Sequence, residues 1–164
     1  MTGGVAPAPS FPCAPCALPE VGGRASTIEP ETNIMDNLDI KCIISGTETD
    51  GKMAVFKEIV PSGFGPPRHT HRNQLEVFHI IEGSIQFEVN GELFERGTGE
   101  AAVVPAGAVH AFRNIGTMPA VIHFEMLPAG DSEEAFDRMV TGDIGDVEAF
   151  FDNYGMDLCG PPLD

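Results

Sequence analysis

Gly63-Phe64-Gly65-Pro66-Pro67-Arg68-His69-Thr70-His71-Arg72-Asn73-Gln74-Leu75-Glu76 carries the residues that decide how this chain folds and what it can bind. His69 and His71 are two positions apart, so on an extended segment both imidazoles leave the same side of the backbone. Arg72 to Leu75 give the chain room to turn before Glu76 opens a new strand. On that strand Glu76, Phe78 and Ile80 share one face, while Val77, His79 and Ile81 share the other, and Gly83 ends it. A second stretch, Gly99 to Asn114, repeats the punctuation: Pro105 and Gly107 precede His110, and Asn114 reads as a turn former. His110 must arrive from another strand, and inward positions of non-adjacent strands meet inside a barrel. The candidate ligand set is thus His69, His71, Glu76 and His110, with Glu76 also able to accept a proton in catalysis. Three imidazoles and a carboxylate suit one divalent transition metal ion (Fe, Mn, Ni, Co, Zn or Cu) and leave room in an octahedral shell for a substrate or oxygen.

Outward from these stretches, residues 38 to 127 consist of short apolar runs broken by turn residues. Strands are predicted over Ile40–Ser45, Lys52–Pro61, Glu76–Ile81, Ser84–Val89, Glu92–Phe94, Ala101–Val104, Ala108–Asn114 and Ala120–Leu127. Asn90-Gly91 between two of them is a type I′ hairpin signal. Many short strands with Gly and Pro punctuation indicate an all-β barrel or sandwich. After Pro128 the pattern turns helical: Asp131 or Ser132 can cap Glu133–Val140, and Asp146–Asn153 forms a second short helix. The expected organisation is a flexible Gly/Ala/Pro-rich arm over 1–27, a β-barrel over 28–130 and an acidic helical segment over 131–164 packed on the barrel. The arm holds Cys13-Ala-Pro-Cys16, which lacks the further ligands of a zinc site and the strand-to-helix setting of a redox pair.

With 164 residues, 42% of them hydrophobic, the chain is long enough for one domain with a real core. A net charge of −16 argues against nucleic acid and anionic membrane as partners, since both select basic surfaces. No stretch approaches the roughly 18 apolar residues of a membrane span, and the proline-broken start carries no secretory signal, so a cytoplasmic location with reduced thiols is expected. Phe64, Phe78, Phe112 and Phe124 are candidates for the walls of a pocket taking a small-molecule substrate, with Arg68 at its mouth. His79 has the wrong parity for the site, and His123 with Glu125 shares a face opposite the apolar set of its strand. Val77 and Ile81 make the outer face of their strand apolar, which predicts that a second copy packs there as a homodimer.

At Gly63, His69, His71, Glu76 and Gly83, and again at Gly99, Pro105, Gly107, His110 and Asn114, the chain resembles the cupin superfamily. The resemblance spans about residues 52 to 127 and implies a jelly-roll β-barrel holding a metal on His69, His71, Glu76 and His110, commonly as a dimer. Gly65-Pro66-Pro67, the run from His110 to Asn114 and the tail from Tyr154 to Leu163 are similar to small single-domain quercetin-dioxygenase-like cupins. That subfamily implies a metal-dependent dioxygenase acting on a small enol or aromatic, flavonol-like compound. The alternatives are a non-oxidative metal-dependent lyase or isomerase, and a non-catalytic ligand-binding cupin. The sole tyrosine, Tyr154, falls outside the predicted barrel and weakens a tyrosine-based lyase.

Overall fold

The computed structural model describes residues 38–164; the arm assigned to 1–27, with Cys13 and Cys16, and residues 28–37 lie outside the described residues. Ten strands run in chain order: β1 (Asp39–Ile44), β2 (Ala54–Val60), β3 (Arg68–His71), β4 (Leu75–Glu82), β5 (Ser84–Val89), β6 (Glu92–Gly97), β7 (Ala101–Val104), β8 (His110–Asn114), β9 (Ala120–Leu127) and β10 (Met156–Gly160). Helices α1 (Ser132–Thr141) and α2 (Val147–Asn153) lie between β9 and β10. The strands form two five-stranded sheets, ordered β1-β2-β9-β4-β7 and β10-β3-β8-β5-β6. Every pairing is antiparallel. This is the all-β architecture the strand pattern predicts, in the jelly-roll arrangement the resemblance implies.

Alternation builds the core. On β9, Ala120, Ile122, Phe124 and Met126 are buried, and the residues between them are half-exposed. Phe78 and Ile80 follow suit on β4. Aromatic rings fill the space between the sheets: Phe78 lies 5.2 Å from Phe87 of the facing sheet and 5.9 Å from Phe124 of its own, and Phe124 stacks on Phe56 at 5.1 Å. Burying each such ring stabilises the fold by about 1.5–3 kcal/mol. The β5–β6 turn has Asn90 at φ 51° and Gly91 at φ 82°, the left-handed pair a type I′ hairpin requires.

The two motif stretches are bonded to each other. Gly63 N–H donates to Asn114 O at 2.8 Å, Asn114 N–H to Phe64 O at 2.9 Å, and Gly107 N–H to His71 O at 2.7 Å. Gly65 lies so close to the Phe112 carbonyl that a Cβ would stand 1.8 Å from its oxygen, so no other residue fits there. Asn114 does more than turn the chain. Buried, it donates to Val60 O and Met118 O, both at 2.9 Å, and accepts from Gly116 N–H at 2.8 Å.

The C-terminal segment differs from its expected, purely helical form. β10 adds a strand to the edge of the second sheet, pairing Met156 with His71 and Leu158 with His69. Arg72 pins it by ion pairs to Asp152 and Asp157. The expected Asp131 cap of α1 makes no side-chain hydrogen bond, while Asp146 caps α2 by accepting from Ala149 N–H at 2.8 Å. No helix among the described residues is long and apolar enough to cross a membrane.

Candidate metal centre

β3 and β8 lie side by side with His69 opposite His110 in register, and His71 points the same way two residues along β3. The ligand atoms of His69, His71 and His110 all fall within 4.8 Å of one another. Glu76 reaches them from the facing sheet: its Oε2 is 3.2 Å from His110 Nε2 and 3.6 Å from His71 Nε2. All four side chains are buried. The sandwich thus brings three imidazoles from one sheet and one carboxylate from the other to a single point.

Local bonds orient the rings. A carbonyl can only accept, so His69 Nδ1–H donates to Pro67 O at 2.8 Å and His110 Nδ1–H to Ala108 O at 3.1 Å. Each ring therefore turns its Nε2 lone pair inward, the arrangement metal-ligating histidines adopt. Burial, reinforced by the neighbouring rings, pushes His69 well below the usual histidine range; burial and His110 bring His71 down to about 3. Both stay neutral at physiological pH and offer lone pairs without competition from protons.

The donors fit a cation. His110 Nε2 and Glu76 Oε2 are buried without any aligned hydrogen-bond partner, although the two nearly touch. Orphaned buried polar atoms cost about 1–3 kcal/mol each, and a divalent ion between them removes that cost. Imidazole nitrogen and carboxylate oxygen accept any of the first-row ions considered above.

The site opens into a cavity of about 70 Å³. At roughly 10–15 Å³ per water it holds a handful of solvent molecules or one compact ligand. Phe64, Phe78, Phe112 and Phe124 all line it, and the C-terminal segment closes it with Phe136, Met139, Phe151 and Met156. Arg68 does not. It lies on the opposite face of β3 from the ligands, where its guanidinium forks onto Glu88 at 2.8 and 3.0 Å and holds the carbonyls of Pro161 and Pro162. Strand alternation, which sends Arg68 away from His69, is the physical reason. His79 and Glu125 pair on the outer face at 3.1 Å. Tyr154 turns its hydroxyl to Glu134 and Arg138.

Among the cavity residues absent from the sequence-based candidates, the ionisable one is Glu58 on β2, buried with only 4% exposure. It shares its face of β2 with Ala54, Phe56 and Val60, all buried.

Residues 55–126 match the Cupin_2 family model, described as a cupin domain. This chain carries a cupin domain. An uncharacterized protein of Methanocaldococcus jannaschii is 31% identical over 71 residues, 43% of this chain and 57% of its own length. A probable oxidoreductase of Aspergillus niger is 30% identical over 102 residues, 61% of this chain and 37% of that protein. The cupin chain thus spans just over half of the first relative and little more than a third of the second. Among solved structures, a predicted oxalate decarboxylase from Thermotoga maritima superposes with a TM-score of 0.53 at 18% identity, covering 56% of this chain and 80% of that one. That likeness speaks to the fold alone.

Proposed function

We propose that this cupin is a metal-dependent dioxygenase acting on a small enol or aromatic substrate. The supporting observation is the convergence of three buried imidazoles and Glu76 on a cavity walled by phenylalanine. The Aspergillus niger relative, named a probable oxidoreductase, points the same way. The cavity volume favours the compact end of the substrate class over a three-ring flavonol.

His69, His71 and His110 through ring nitrogens and Glu76 through a carboxylate oxygen would hold the ion. When bound, it supplies Lewis acidity and, if redox-active, a path for electrons to dioxygen. Glu76 takes the acidic proton of the incoming enol. The phenylalanine walls exclude water, which keeps the interaction between anionic substrate and cation strong. Oxygen uptake by Fe-, Mn-, Ni- and Co-loaded protein on a panel of compact enols tests the reading, with His69→Ala as the blank. No uptake by any metal form overturns it for that panel.

A non-oxidative lyase or isomerase is the second reading, favoured by one observation: Glu58 gives the same cavity a second carboxyl able to carry a proton. Turnover that persists under strict anaerobiosis selects it. We also propose a homodimer through the outer face of the first sheet, where Ile81 is 43% and Val103 54% exposed. Sedimentation showing only monomer at micromolar concentration overturns that assembly.

A further inference from the structure

Among the described residues, Glu58 is the buried ionisable group lining the cavity that the metal site leaves unused. Across the ladder it sits between Ile40 on β1 and Ile122 on β9, both apolar. Among the described residues its carboxyl has no hydrogen bond and no ion pair, yet it lines the same cavity as His69, His71 and Glu76. The charges that reach it are acidic: Glu76 on β4 and Asp39 on β1. The cavity's imidazoles, His69 and His71, are held neutral and bring no compensating cation. Burial and those two acids push Glu58 up to about 8, so its carboxyl stays protonated at neutral pH. No protein group among the described residues accepts its proton, so the carboxyl is left to donate to an oxygen atom arriving in the cavity.

Its position limits what it can touch. Glu58 pairs with Ile122 and Glu76 with Met126, so along β9 the two carboxyls are anchored four residues apart. That separation is about 13 Å along the strand. Glu58 thus approaches the cavity from a different part of the wall than the metal donors.

We propose that Glu58 is a specificity-determining residue that donates a hydrogen bond to a second oxygen of a ligand whose first oxygen is on the metal. The site then takes compact two-ended oxygen compounds, with one donor for the ion and a carbonyl, hydroxyl or carboxylate oxygen for Glu58. This rests on the metal-centre reading. An ionised carboxylate at this place would repel an anionic ligand end, whereas the protonated form binds it.

The test loads the full-length protein with Co(II), measures metal content first, and then titrates it calorimetrically with malonate, succinate and glutarate against one-ended butyrate. Wild type is expected to prefer at least one of the three by about tenfold or more, the size that a hydrogen bond to a charged oxygen gives. Glu58→Leu, of similar bulk and without a donor, loses that preference at unchanged Co(II) content. Glu58→Gln, whose amide still donates, keeps it. A fully Co(II)-loaded Glu58→Leu protein that retains the preference overturns the role of Glu58 and leaves the metal centre standing. The same holds for a fully loaded wild type that shows no preference. Wild type that takes up no Co(II) overturns the metal centre itself, and the anchored ligand with it.

Discussion

Glu58 and Glu76 are both carboxyls on the first sheet, both 4% exposed, and both turned into one cavity, yet their surroundings are opposite. Glu76 stands against two imidazole nitrogens, at 3.2 and 3.6 Å. Glu58 has isoleucines as its strand neighbours and only other acids within electrostatic reach. The same functional group is thus arranged to share a cation in one place and to keep its proton in the other. Pairs of carboxyls set apart by environment are how one cavity can hold an acid and a base at the same pH.

The comparison breaks most completely at the metal. His110→Ala should abolish stoichiometric metal binding. Glu76→Gln should lower affinity by more than the roughly 10–100-fold that outer partners of metal ligands contribute. Competition against a chelator measures both, and Glu58→Gln serves as the contrast, with affinity unchanged.

Next comes the pH dependence of stability. Folded Glu58 holds its proton up to about pH 8, whereas in the unfolded chain the carboxyl releases it near its ordinary 4.5. Between those values the folded state binds more protons, so this group's contribution to stability falls as pH rises and is gone above about 8. Across that window the advantage of Glu58→Gln over wild type should grow by up to roughly 5 kcal/mol. The acids that face Glu58 (Glu76 and Asp39) and the cavity's His69 and His71 are present in both proteins, so the difference isolates Glu58. Denaturant titrations across that range check the slope; a parallel pair of curves shows that Glu58 is ionised like any surface acid.

Phe124→Ala strikes the wall both carboxyls share. Phe124 contacts Phe56, Phe78 and Phe136 at 5.1, 5.9 and 5.2 Å, and its loss should cost about 3–5 kcal/mol in denaturant unfolding. Arg68→Ala is the smallest change. It removes a partly buried fork to Glu88 and the hold on Pro161 and Pro162, and should cost on the order of 1 kcal/mol without altering metal affinity.

The sequence pattern reveals most of the barrel because alternation and punctuation are local signals. Gly83, Asn90-Gly91, Pro105 and Gly107 mark strand ends, and the parity from Glu76 through Ile80 places the carboxylate and Phe78 inside. Glu58 escapes the same logic for a physical reason. Both faces of β2 carry one charged residue among apolar ones, Lys57 on one and Glu58 on the other, so hydrophobicity does not say which face is inward. The strand β10 is equally hidden. Met156 and Leu158 alternate for only a few residues before Gly160-Pro161, and their partners on β3 lie far back in the chain. Arg68 was legible by its parity, since it alternates with His69 on one strand.

The place of β3 between β8 and β10 has a consequence for biosynthesis. Thr70 meets Asp157 across 87 residues of chain, so the strand bearing the first two histidines gains its second neighbour only after residues 156–160 have left the ribosome. A nascent chain stalled earlier carries those histidines on a strand with one bare edge, whose unpaired amides and carbonyls invite association with another chain.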